Sequence, residues 1–278
     1  MSPVETHGKK VGLALSGGAA RGLAHVGVIS VLEQEGIPID MIAGTSAGAV
    51  MGAIYAWNRD SDRMIEQAVD TNWKKFGTMV DPSFPKTGLI KGRKIKKLIS
   101  SFIPDNIKFS DLRIPLACVA TDIDTGEEIV INKGIVLDAL RATVSIPGIF
   151  TVVKREGRYL VDGGLTTPVP VNVTRKMGAD FVIAVNVNPD VTGRMGKTNR
   201  QRVEANKEPN IFQVMMQSIY ITTHSLAQNN MIDADIVIEP DLAYIGASEF
   251  QKAPELVELG AQATREAMPE IKRKLKDL

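Results

Sequence analysis

A side chain that attacks a carbonyl has to be lifted clear of its own backbone, and one pentapeptide in this chain is built for that. Gly44-Thr45-Ser46-Ala47-Gly48 fits Gly-x-Ser-x-Gly between a short β-type run, Met41 to Ala43, and an apolar helical segment, Ala47 to Trp57. Small residues on both sides of Ser46 let the chain turn sharply, and the hydroxyl then sits at the positive end of the following helix. A strand-to-helix turn with a capping serine is the other reading of the same residues. So short a pattern carries little by itself; the strand before it and the helix after it carry the assignment.

A serine nucleophile requires a base and a set of donors for the oxyanion. The turn Ser16-Gly17-Gly18-Ala19-Ala20-Arg21-Gly22 follows a first strand, Val11 to Ser16, and opens a helix over Leu23 to Gln34. Its backbone N–H groups therefore converge where negative charge is stabilised, and Arg21 adds a fixed positive charge. Neither Gly-x-Gly-x-x-Gly nor Gly-x4-Gly-Lys-Ser/Thr is present, which sets aside a nucleotide phosphate loop. A turn of small residues that serves helix packing remains the alternative.

The base is narrowed by counting. Three histidines exist: His7 in a polar N-terminal tail, His25 on a helical stripe with Val28, Ile29 and Leu32, and His224 on a late helix beside Tyr220, Ile221 and Gln228. His25 reads as a core residue bonded to backbone and His224 as a boundary residue, so no histidine is well placed to serve Ser46, and a triad would have to use His224. A carboxylate is the better candidate, and Asp162 in Val161-Asp162-Gly163-Gly164 stands at the end of a β-rich run, where open parallel sheets place their sites. A free aspartate, with a pKa of about 4, is a weak base, and burial raises it. An Asp-Gly turn in a hairpin is the competing reading.

These residues need a scaffold, and the chain alternates short β-rich runs with helical segments. That pattern makes an α/β fold, three layers α/β/α around a mostly parallel central sheet. Further strands are expected at Leu116 to Thr121, Glu127 to Asn132 and Phe181 to Val187. Thr151 to Arg155 and Tyr159 to Val161 should form a hairpin, and Val136 to Thr143 a helix. Phe212, Met215, Met216, Ile219, Thr223 and Leu226 form one helical stripe; Leu256, Gly260, Ala263 and Ala267 form another, with a last strand at Ile236 to Ile238 between them. Residues 74–92 read as a long loop with apolar Phe76, Met79, Val80 and Phe84, a candidate lid, and 190–209 as a mobile polar loop. One domain over residues 1–278 is expected, its motifs within about 11–187 and a helical part over 210–278.

The chain has 278 residues, 33 Lys+Arg against 32 Asp+Glu, and 44% hydrophobic residues, which describes a globular protein with a full core. A net charge of +1 gives no field that gathers nucleic acid. Cys118 is the single cysteine, so no intramolecular disulfide forms, and no Cys/His spacing offers a metal site. Asp122 and Asp124 lack the further ligands of a calcium loop and read as a hairpin. Met1 to Lys10 lacks the apolar core of a signal peptide, and the longest uncharged apolar run, Ala47 to Trp57, is too short to span a bilayer. The expected location is the cytoplasm, with membrane contact at most peripheral, through Lys91 to Lys97 or Lys272 to Lys276.

SGGAARG, GTSAG and DGG, in this order, resemble the patatin-like phospholipases. The resemblance runs from about Val11 to Val187, includes GLAHVGVI and LRATVSIPGIF, and fades after Asp190. It implies a lipid or acyl-ester substrate hydrolysed by a Ser–Asp dyad without catalytic histidine, metal or organic cofactor. Ser46 would be nucleophile and Asp162 base, with Gly44 and Gly48 flanking the elbow. Gly17, Gly18 and Ala19 would hold the oxyanion and Arg21 support their loop. Ala19 stands where the family often has a third glycine, so the freedom to take positive φ is expected to be lost there. A soluble esterase or thioesterase with a His224 triad, and a regulator that binds lipid or protein without catalysis, are the alternatives. Oligomeric state, head group and chain length are not legible.

Overall fold

The structure, a computed structural model, describes residues 8–71, 73, 88–188 and 208–277. In chain order the strands are Val11–Leu15 (β1), Met41–Thr45 (β2), Gly88–Ile90 (β3), Leu116–Asp122 (β4), Glu128–Ile131 (β5), Gly148–Phe150 (β6), Val153–Arg155 (β7), Arg158–Asp162 (β8), Phe181–Val185 (β9) and Ile236–Ile238 (β10). The α-helices are Ala24–Gln34 (α1), Ala47–Asn58 (α2), Ser61–Asp70 (α3), Arg93–Ile99 (α4), Val136–Thr143 (α5), Val171–Lys176 (α6), Ile211–Asn230 (α7) and Ala253–Lys276 (α8).

VGLAL, MIAGT and FVIAV, the sequences of β1, β2 and β9, are buried at every position. A strand with no polar face must be covered on both sides, and a parallel sheet between helices provides that. The sheet runs β10-β9-β1-β2-β4-β8-β7, parallel from β10 to β4, with β5 also on β4. Alternate residues then divide between two cores. Leu13, Leu15, Ile42, Cys118 and Ile183 join the large core that includes α1, α2, α3, α5 and α8. Ala14, Ala43, Ala117 and Ala184 face the other way, against α6 and the end of α7. The three-layer α/β/α expectation holds.

β4 is where the parallel order ends. Leu116 to Val119 pair with β2, whereas Ala120 to Asp122 pair with β8 arriving from the opposite direction. Cys118 to Thr121 also pair with β5, which therefore occupies the other edge. β2 and β8 thus share one edge of β4 and meet at their C-terminal ends, Thr45 opposite Val119 and Asp162 opposite Ala120.

α5 covers the residues expected of it, and the β7–β8 hairpin turns through Glu156 and Gly157, both at positive φ as a tight two-residue turn requires. β9 ends two residues early, at Val185. The short parallel ladder of β3 and β6 lies partly inside the window read as a loop. The proposed lid residues Phe76, Met79, Val80 and Phe84, and nearly all of 190–209, lie outside the described residues.

α8 covers α1 at a backbone-to-backbone crossing. A Cβ on Gly260 would stand 2.0 Å from the Ala24 carbonyl oxygen, and one on Gly27 1.8 Å from that of Val257. Alanine is a better helix former than glycine by about 1 kcal/mol, so propensity alone would favour Gly260→Ala. Crowding decides the sign here: the substitution should destabilise the protein by about 1–3 kcal/mol, read as a lower denaturation midpoint in urea.

Candidate active site

Ser46 leaves the end of β2 with φ 51° and ψ −122°, a conformation L-residues rarely hold and one that costs on the order of 1–3 kcal/mol. Its surroundings hold it there. The Ser46 N–H donates to Thr143 Oγ1 at 2.8 Å, and the Thr143 hydroxyl donates to the Val119 carbonyl. The flanking glycines serve close approach: a Cβ on Gly44 would meet Ala49 Cα at 2.4 Å, and one on Gly48 the Leu15 carbonyl oxygen at 2.4 Å.

Asp162, at the end of β8, accepts the Ser46 hydroxyl on Oδ2 at 2.5 Å and the Gly164 N–H on Oδ1 at 2.8 Å. Both side chains are buried, Ser46 at 6% and Asp162 at 7% exposure. Burial pushes the Asp162 carboxyl up to about 6, against the opposing pull of the bonds from Ser46 and Gly164. The group is then mostly ionised at neutral pH yet holds a proton far better than a free aspartate does.

The glycine-rich turn divides its donors. The Gly17 N–H is bonded to the Pro168 carbonyl at 3.2 Å, so the structure removes Gly17 from the expected oxyanion donors. Among the described residues, the N–H groups of Gly18 and Ala19 have no acceptor. The Gly17 carbonyl accepts the Ser16 hydroxyl and Asn188 Nδ2, both at 3.0 Å. In a trans peptide the carbonyl and the next N–H point opposite ways, so anchoring Gly17 O turns the Gly18 N–H toward the cleft. Ala19 corrects the expectation from its Cβ: it takes φ 51° despite the side chain.

Two cavities meet at Ser46. One, of about 260 Å³, is apolar and runs from Ala19, Ser46 and Val50 to Leu98, Phe102 and Phe150. The other, of about 70 Å³, lies between Gly18, Asp162 and Asn188 and the inner face of α7, with Ile219, Tyr220 and Thr223. Ala19, Ser46 and Ile146 border both. The α7 stripe thus roofs a cleft with Met216, Ile219 and Thr223, and Ala227 is the single buried residue among those of α7 whose side chains are described.

Arg21 lines neither cavity. It is buried, donates from Nε to the Ile245 carbonyl at 2.8 Å, and stands 5.8 Å from the centre of the Tyr220 ring, tying the turn to what surrounds it. His25 Nε2 lies 2.9 Å from the Ser16 carbonyl, which can only accept, so that nitrogen carries the proton. Burial lowers its pKa to about 4, and His25 is a neutral support behind the loop, as the sequence led one to expect. His224 borders neither cavity at Ser46.

The patatin-like phospholipase family model matches residues 13–175, more than half of the chain and all of the residues just described up to Asp162 and Pro168. The chain belongs to the patatin-like phospholipase family. An uncharacterized NTE family protein of Mycobacterium tuberculosis is 35% identical over 66% of this chain and 51% of its own length. Neuropathy target esterase sws of Drosophila melanogaster is 32% identical over 65% of this chain and 13% of its own length. Lysophospholipase nte1 of Aspergillus fumigatus is 29% identical over 95% of this chain and 18% of its own length. The chain thus spans about half or less of these relatives. VipD from Legionella pneumophila shares the fold, with a TM-score of 0.54 at 13% identity over 94% of this chain and 67% of that one.

In this patatin-like chain two residues that shape the site carry no motif. Thr143 lies within LRATVSIPGIF, quoted above for the resemblance but not for a role, and Asn188 lies just past the matched segment. A hydroxyl or amide bonded to a distant backbone leaves no spacing to read. The ionised form of Asp162 is the one able to take the Ser46 proton. Acid should therefore silence the site: kcat/KM on a neutral acyl ester should rise about tenfold per pH unit up to about 6 and level off above it. Asp162→Asn should lower the plateau by about 10²–10⁴.

Proposed function

We propose that this chain is a lipid acyl hydrolase that works through a Ser46–Asp162 dyad. One observation carries the reading: an apolar chamber of about 260 Å³ opens on the hydroxyl that Asp162 holds at 2.5 Å. In the proposed sequence Ser46 Oγ attacks the ester carbonyl and passes its proton to Asp162. The oxyanion takes hydrogen bonds from the Gly18 and Ala19 N–H groups. Collapse breaks the bond to the alcohol, which leaves with the proton from Asp162. Water then gives a proton to Asp162 as it attacks the acyl-enzyme, Ser46 regains that proton, and the fatty acid departs. No step calls for a metal or an organic cofactor. The names of two relatives, an esterase and a lysophospholipase, support the same class of chemistry.

The same proposal includes peripheral contact with lipid, and α7 supports it better than the basic clusters do. Lys272 is paired with Glu35, Lys274 with Glu270 and Lys96 with Asp138. α7 has no Asp, Glu, Lys or Arg in twenty residues and leaves Ile211 85% and Ile221 44% exposed beside the smaller cleft. Among the described residues, no helix is long and apolar enough to cross a membrane.

Ser46→Ala should abolish release of fatty acid from lysophosphatidylcholine and labelling by a fluorophosphonate. His224→Asn should retain activity within tenfold; a loss as deep as that of Ser46→Ala would restore the histidine triad. Ile211→Glu combined with Ile221→Glu should weaken co-sedimentation with phosphatidylcholine vesicles about tenfold or more, since each buried isoleucine contributes about 1.5–3 kcal/mol.

A further inference from the structure

The apolar chamber has a direction and an end. Ala47, Val50 and Met51 of α2 border it, and all three lie on one side of a helix that begins at Ser46. At 1.5 Å per residue Met51 stands about 7.5 Å along α2 from Ser46, and Ile54 about 12 Å. Ile54 does not border this chamber. It borders a separate void of about 20 Å³, whose other walls include Met64 and Ala68 of α3. Leu23, Met51, Trp73 and Phe102 border both spaces, so these four side chains are the partition between them.

Trp73 is a fixed part of that partition. Its indole N–H donates to the Ala68 carbonyl at 2.7 Å, and its ring stacks on Phe250 at 5.2 Å. Met51 is different: an unbranched, half-buried side chain that fills space without a polar anchor. The chamber's volume is also informative. A group the size of water takes roughly 30 Å³, so about 260 Å³ seats one chain of eight or nine methylene-sized groups and has no room for a second.

We propose that this chamber binds a single acyl chain laid along α2, and that Met51, backed by Trp73 and Phe102, is the floor that sets the chain length accepted. The proposal rests on the acyl-hydrolase reading for its ligand, and on the shared walls of the two cavities for its residue. Chains of about eight to ten carbons fill the chamber to its floor. Longer ones leave methylenes in water or must displace Met51. Removing the Met51 side chain beyond Cβ joins the small void to the chamber and moves the floor back by several carbons. A phenylalanine there moves it forward.

The test is the profile of kcat/KM for p-nitrophenyl esters from C4 to C16, below their aggregation limits, with the full chain. The wild type should peak near C8 to C10. Met51→Ala should move the peak two to four carbons longer, and Met51→Phe should move it shorter, with roughly a fourfold change in relative kcat/KM for each methylene seated or expelled. Loss of folding scales all substrates alike and cannot shift a peak in opposite directions. Identical profiles in the three proteins would overturn the floor. A wild type inert toward every ester would count against the hydrolase reading, and the floor is then decided by binding. In a Trp57→Phe background, decanoic acid brominated at its terminal carbon should quench Trp73 fluorescence, and the hexanoic analogue should quench it several-fold less. Equal quenching, or none, would overturn the proposal independently of turnover.

Discussion

Two strands that arrive from opposite directions and end on the same edge of β4 are the constraint behind everything else in this site. Ser46 continues from one and Asp162 ends the other, so their hydrogen bond is a consequence of strand register. A slip of one residue in β8 would send the aspartate to the opposite face of the sheet. Val119, where the two strands meet, enforces the fit. Its carbonyl accepts the Thr143 hydroxyl that in turn holds the Ser46 N–H, and a Cβ on Gly163 would lie 2.3 Å from that oxygen. The second glycine of the Asp-Gly-Gly motif has a different task, since Gly164 gives its N–H to the carboxylate.

The glycine-rich turn is positioned from outside itself. Ser16 Oγ donates to the Gly17 carbonyl and accepts the Val187 N–H, and Asn188 comes from the same stretch after β9. β9 neighbours β1 in the sheet, so the strand that pairs with β1 also delivers the groups that orient the loop leaving it. Arg21 and His25 brace the turn from within the core. The site is assembled from strand ends, and its precision comes from sheet neighbours far apart in the chain.

What the sequence made legible follows a physical division. Ser46 and Asp162 were readable because crowding around an elbow and close approach at a strand end demand small residues at fixed spacing, and such demands leave a pattern. The alternating strands and buried helices were readable for the same reason. Gly17 was grouped with Gly18 and Ala19 because a pattern of glycines cannot say which N–H is already bonded to Pro168. Ala19 was expected to avoid positive φ, yet the surrounding contacts impose φ 51° on it. The α7 stripe was legible as an apolar face, but what it covers was not, because apolar periodicity does not distinguish a face packed in a core from one that lines a cavity. The chamber beside Ser46 had no signature at all, being built from α2, α4, Trp73 and the segment around Ile149, which meet only in space.

The upward-shifted carboxyl of Asp162 also bears on the protein's reserve of stability. A group whose pKa is about 6 in the folded chain and near 4 in the unfolded one binds its proton more tightly when folded. Its contribution is most favourable in acid and is lost as pH rises from about 4 through about 6. At neutral pH, where the ionised form prevails, the fold carries a penalty of about 3 kcal/mol at this one position. The rest of the molecule, with its close helix crossing and the fully buried strands β1, β2 and β9, supplies the surplus that lets a charge sit in the core.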